Sequence, residues 1–135
     1  MTGVVFKLGA PEETVLIVDD YDDARACLRD MLEDLGEHVV EAANGQEALH
    51  FLIFHREVHV KLIVLDLRMP VMNGWEFLKL LESYLRLADI PIIIASAHAK
   101  RLEPAEHSAV VGCLQLPYRS AQLQALLEAA AIRPK

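Results

Sequence analysis

The chain lacks a basic stripe, a dense set of cysteines, many aromatic residues and any apolar run of the roughly 18 residues a membrane helix requires. Each absence excludes something. With 13 basic against 20 acidic residues and a formal charge of -7, there is no cationic surface to replace the counterions of a nucleic acid. Acidic groups in excess suit a hard cation better. Cys27 and Cys113 are isolated, so neither a disulfide frame nor a thiolate metal site is expected, and both read as reduced, buried thiols. The first residues, MTGVVFKLGA, have no basic start, long apolar middle or cleavage site. A cytoplasmic protein with neither nucleic-acid nor membrane partners is expected. No internal repeat or low-complexity linker divides the 135 residues, which suffice for one domain. Residues 1–13 read as a flexible lead-in, 14–132 as the domain and 133–135 as a tail.

What is present is aliphatic: 53% of residues are hydrophobic and only 6% aromatic. The run Leu62-Ile63-Val64-Leu65 stops abruptly at Asp66, and a turn rich in Pro70, Asn73 and Gly74 follows. Such a run suits a strand covered on both faces, as in a parallel sheet. Its terminal carboxylate then sits at the carboxyl edge, where open α/β sheets bind ligands. Pro70 fixes φ, and Asn73-Gly74 tolerates left-handed backbone, so the chain can turn sharply before Trp75.

The same grammar recurs along the chain. Thr14–Val18 is apolar and ends in Asp19-Asp20. Ala24, Cys27, Leu28, Met31, Leu32 and Leu35 then recur at helical spacing, with Asp22 or Asp23 as the expected cap and Gly36 as the stop. A short strand, His38–Ala42, leads through Asn44-Gly45 into a helix over Gln46–Glu57. His55 and His59 have a metal-like spacing, but His59 falls past the helix end and no further ligand is near. After the central strand comes a helix over about Trp75–Leu87, then a fourth apolar run to Ala95, ending at Ser96. A short helix over Pro104–Ala109, a fifth strand over Val110–Leu116 and a helix over Ser120–Ala131 complete the chain. Five strands alternating with five helices imply a doubly wound, flavodoxin-like parallel sheet of order 2-1-3-4-5.

That order makes the first and third strands neighbours, so Asp19, Asp20 and Asp66 meet in one pocket, with the Ser96 hydroxyl beside them. Three carboxylates at one edge raise each other's pKa unless a cation intervenes. Oxygen ligands select a hard ion such as Mg²⁺, or Mn²⁺. A carboxylate so screened can act as nucleophile toward a phosphoryl group.

On these residues the chain resembles the receiver domains of two-component response regulators. The resemblance rests on VLIVDD at 15–20, LDLRMPVMNG at 65–74, PIIIASA at 91–97 and Leu116-Pro117, and it spans residues 14 to about 132. It implies that Asp66 accepts a phosphoryl group from a histidine kinase or phosphotransfer protein. It implies that Asp19, Asp20, Asp66 and the Arg68 backbone carbonyl hold Mg²⁺, and that Ser96 hydrogen-bonds the phosphoryl group. Output is expected to run through docking to another protein rather than catalysis, and a homodimer is left open.

Two positions depart from the family pattern. Leu116 stands where the family carries a lysine that ion-pairs with the phosphoryl group, and Cys113 where it carries a switching aromatic. Arg68 is the expected surrogate for the lysine charge, as a phosphoryl contact, because its planar fork matches phosphoryl oxygens. The alternative is a receiver-fold binding module independent of phosphorylation. A haloacid-dehalogenase-type phosphatase would need a second Asp where Arg68 stands.

Overall fold

The computed structural model describes residues 13–96, 109–115 and 119–131, and of Ser96 and Ala131 the backbone only. Its elements are β1 (Glu13–Val18), α1 (Asp22–Asp34), β2 (His38–Ala42), α2 (Gly45–Phe54), β3 (His59–Leu65), α3 (Gly74–Glu82), β4 (Ile92–Ser96), β5 (Val110–Gln115) and α4 (Ser120–Ala131). The five strands form one parallel sheet of order β2-β1-β3-β4-β5. The fold is therefore the flavodoxin-like arrangement expected. Four helices lie among the described residues, and the fifth expected helix, Pro104–Ala109, falls almost wholly outside them. Leu116 and Pro117 also lie outside.

The apolar runs produce two cores, one on each face. Strand residues alternate sides, and the register Val15↔Leu62, Leu16↔Ile63, Ile17↔Val64, Val18↔Leu65 aligns like faces across β1 and β3. Leu16, Val18, Ile63 and Leu65 meet Leu52 of α2 and Phe77 and Leu81 of α3. Val15, Ile17, Leu62 and Val64 meet Leu28 and Leu32 of α1 and Leu123 of α4. All four of Val15–Val18 are wholly buried, so truncating one to Ala would cost on the order of 2–4 kcal/mol. At the start of β3 the register slips, Thr14 facing Val60 but Val15 facing Leu62. Lys61 is the extra residue of this bulge, and Val60 consequently shares a face with Ile63 rather than with Leu62.

Several boundaries differ from the sequence expectation for local reasons. α1 begins after Tyr21, which gives no side-chain cap, so Asp22 and Asp23 occupy its first turn instead of capping it. There their charges favour the positive end of the helix. Gly36, at φ +87°, ends α1, with the Glu37 amide donating to Leu32 and the Gly36 amide to Glu33. Cys27 is exposed at the margin of the α1 apolar stripe, not buried. α2 stops at Phe54, where the Arg86 guanidinium takes the Leu52 carbonyl at 2.7 Å. α3 stops at Glu82, and tight turns over 83–90 still bring Leu87 into the core, which explains why its helical spacing misled.

Candidate functional site

Asp19, Asp20 and Asp66 stand at the carboxyl edge because the strand ladders run one residue past the strands. The Asp19 amide donates to Ala42 at 3.1 Å and the Asp66 amide to Val18 at 2.9 Å. Each of the three carboxylates offers an oxygen, and these oxygens lie within 4.8 Å of one another. Asp19 and Asp66 are half-buried and Asp20 is exposed. The Asp19 carboxylate also accepts from the Tyr21 amide at 2.9 Å. Burial, together with the nearby Asp66 and Asp20 charges, pushes the Asp19 carboxyl up to about 6, although the Tyr21 amide and Arg25 oppose the shift.

The loop from Asp66 to Asn73 forms the wall of the site. Leu67 and Met69 anchor it in the core while Arg68, Pro70 and Val71 face solvent. Asn73 starts α3 with a reciprocal cap, its side chain accepting from the Glu76 amide at 2.9 Å while the Glu76 carboxylate accepts from the Asn73 amide at 3.2 Å. Neither Asn73 nor Gly74 adopts left-handed backbone. That conformation falls on Val71, at φ 68°, inside a tight turn closed by the Met72 amide on the Pro70 carbonyl at 2.7 Å. For a β-branched residue this is strained backbone. Gly74 is required for another reason: a Cβ there would lie 2.6 Å from the Asp66 carbonyl oxygen and 2.7 Å from the Leu67 Cα. The loop also touches α2, where the Gly45 amide donates to the Met72 carbonyl at 3.3 Å.

Beside the acids lies an open cleft of about 460 Å³ lined by Asp20, Arg68, Met69, Pro70, Asn73 and Trp75. Arg68 thus stands at the rim, exposed, and forms no ion pair with a described residue. Ser96 ends β4, one strand from β3, and its side chain lies outside the described residues. Cys113 is half-buried on β5 opposite Ile94, and burial pushes its thiol pKa up. Neither His55 nor His59 joins a metal-binding group among the described residues: His55 stacks on Phe51 and His59 faces Glu13 at 3.7 Å.

Sequence reasoning missed Arg25. Its guanidinium donates to the Asp19 backbone carbonyl at 2.8 Å, to Asp22 at 2.7 Å and to Glu41 at 3.1 Å. The available signal was an arginine one turn into α1, close behind the acid pair, with an acid on the neighbouring strand.

The arrangement can hold a hard divalent cation, since clustered carboxylate oxygens, with the Asp19 carboxyl pushed up by burial and by the charges beside it, are what such an ion relieves. An acid pair on one strand end, a third acid on the next and a glycine-tight loop behind it make the carboxyl edge of this doubly wound sheet the candidate site. Comparison with known proteins places the chain in a family. The family described as the response regulator receiver domain matches residues 15–128, and the chain belongs to this family. Over 117 residues it is 32% identical to the chemotaxis protein CheY-3 of Vibrio cholerae, covering 84% of this chain and 88% of that protein. It is 40% identical over 86 residues to a probable transcriptional regulator, ycf27, of Porphyridium aerugineum, covering 64% of this chain. The chain spans about a third of the length of the first curated relatives it matches, 33% for that regulator and 30% for a Helicobacter pylori chemotaxis protein. Among solved structures, the receiver domain of a sensor histidine kinase from Pseudomonas aeruginosa superposes with a TM-score of 0.74 at 27% identity, covering 89% of this chain and 97% of that one. That structure has a magnesium ion coordinated in its active site cleft.

Proposed function

We propose that this receiver domain accepts a phosphoryl group on Asp66 from a phosphohistidine of a histidine kinase or phosphotransfer protein and signals by docking to a downstream protein in the cytoplasm. The observation that carries the reading is the meeting of Asp19, Asp20 and Asp66 oxygens within 4.8 Å at the carboxyl edge. In the step, an Asp66 carboxylate oxygen attacks phosphorus, an O–P bond forms, and the P–N bond to the imidazole breaks. The departing imidazole nitrogen takes up a proton. Asp66 is suited to this because its backbone is fixed by the ladder to Val18 and by the close approach of Gly74.

Asp19, Asp20, Asp66 and the Arg68 carbonyl are the groups proposed to hold Mg²⁺ or Mn²⁺, as the magnesium-bearing relative suggests. When bound, such an ion supplies positive charge against the carboxylates and the incoming phosphoryl oxygens. The Ser96 hydroxyl is proposed to donate a hydrogen bond to the phosphoryl group. Arg68, at the cleft rim, is proposed to meet it with a charge-assisted contact in place of the lysine that Leu116 replaces.

The test is incubation with a small acyl phosphate and Mg²⁺, followed by mass spectrometry that locates the phosphoryl group. Modification of Asp66, absent from Asp66→Asn, is expected. A second reading follows from Cys113, half-buried where the family carries a switching aromatic. It is a binding module that works without phosphorylation, and an unmodified Asp66 in that experiment would favour it.

A further inference from the structure

Three acids at a sheet edge bind a cation well only if their oxygens converge, and the three are not held alike. Asp66 is fixed by its strand ladder and by Gly74, and Asp19 by the Tyr21 amide donating to its carboxylate. Asp20 is exposed, and its carboxylate hydrogen-bonds no described residue. Its direction therefore depends on its backbone. The peptide that sets that backbone is the one linking Asp19 to Asp20, whose carbonyl accepts from Arg25 Nη1 at 2.8 Å.

Resting on the function proposed above, we infer that Arg25 is a positioning residue for the cation site. It fixes the Asp19–Asp20 peptide plane and so directs Asp20 toward Asp66. The guanidinium is well placed to do this. Its Nη2 is held by Asp22 at 2.7 Å and its Nε by Glu41 at 3.1 Å, so the third arm is presented to the carbonyl by a rigid planar fork. The side chain is only 17% exposed. It thereby joins α1, β2 and the β1–α1 turn at one point. Groups that orient metal ligands without touching the metal typically change metal affinity by about 10–100-fold when removed.

Charge and position make opposite predictions here, which makes the inference testable. Deleting a positive charge beside three carboxylates strengthens cation binding if charge is all that Arg25 contributes. Losing the orientation of Asp20 weakens it. Arg29 provides the matched control, because it reaches the same Glu41, at 3.2 Å, but makes no contact with the Asp19 carbonyl. It also leaves Glu41 partnered in the Arg25→Ala variant, so that variant is expected to fold.

The experiment titrates the full chain with Mn²⁺, reading free ion by electron paramagnetic resonance, with Mg²⁺ as competitor. Quenching of Trp75, the single tryptophan and a lining residue of the adjoining cleft, gives a second readout. Arg25→Ala is expected to weaken binding about tenfold, whereas Arg29→Ala leaves it unchanged or slightly tighter. At saturating Mg²⁺ the Asp66 phosphorylation rate of Arg25→Ala should return to the wild-type value, and a metal-free urea midpoint close to wild type should separate this from general destabilisation, which Mg²⁺ would also relieve. Binding by Arg25→Ala as tight as or tighter than wild type would overturn the positioning role alone. Failure of the wild type to bind either ion would overturn it together with the cation site. If Arg25→Ala does not fold, Glu41→Ala removes one anchor of the fork, and unchanged affinity there would count against the inference.

Discussion

The two edges of the sheet treat charge in opposite ways. At the amino edge three charged groups meet opposite charges or polar partners: Lys61 pairs with Glu37 at 2.5 Å, His59 faces Glu13, and Arg86 satisfies the last turn of α2. At the carboxyl edge three carboxylates come together, while Arg25 beside them gives its donors to a backbone carbonyl and two other acids. Pairing serves the fold at one end. At the other, like charges are gathered and the backbone is made rigid around them, which is the pattern of an edge shaped for something it must bind.

The largest way to break this contrast is through the loop behind Asp66. Gly74→Ala places a methyl group against backbone atoms that cannot swing aside, 2.6 Å from the Asp66 carbonyl oxygen. It is expected to destabilise the fold by about 1–3 kcal/mol and to weaken cation binding with it, measured by urea unfolding and by Mn²⁺ titration. An unchanged unfolding midpoint would show that the loop is free to yield.

A second prediction sharpens the contrast through pH. Asp19 holds its proton up to about 6 in the folded protein against 3.8 ordinarily, so the native state binds that proton more tightly than the unfolded chain does. Stability of the metal-free protein should therefore rise as pH falls from 6 toward 4, the reverse of the trend for ion-paired carboxylates. Asp19→Asn should flatten that slope, and saturating Mg²⁺ should remove it. Urea midpoints measured at stepped pH would show either outcome, and a slope identical in Asp19→Asn would assign the effect to another group.

The smallest effect concerns Val71. Its side chain is 73% exposed, so Val71→Gly loses no core contact while relieving the positive φ. Strain relief of about 1–3 kcal/mol, reduced by the greater freedom of glycine in the unfolded chain, predicts a net gain of roughly 1 kcal/mol. A melting temperature at or below wild type would mean that the turn is not a source of strain.

The fold was legible because its elements announce themselves by period. Apolar runs at Thr14–Val18 and Leu62–Leu65 lie on buried central strands, and the acids that end them mark the edge without further information. Local competition was harder to read. Nothing in the string separates Asp22 as a cap from Asp22 as an arginine partner, and only the folded turn shows that Arg25 takes it. Asn73-Gly74 tolerates left-handed backbone as a sequence, but close contact with Asp66 is what requires the glycine, and Val71 carries the positive φ. Long-range partners such as Glu41 for Arg25 depend on β2 lying beside β1, which becomes visible only once the sheet is assembled.

The bulge at Lys61 gives the amino edge a property of another kind. Because the extra residue shifts the alternation, it acts as a phase change between Val60 and the run that leads to Asp66. A deletion anywhere within residues 62–65 would turn part of a fully buried strand inside out. Deleting Lys61 itself would return Val60 to plain alternation and leave Leu62 to Leu65 in register with β1. Loss of one residue at the start of the central strand is therefore taken up by the bulge, without moving its terminal carboxylate out of register with β1.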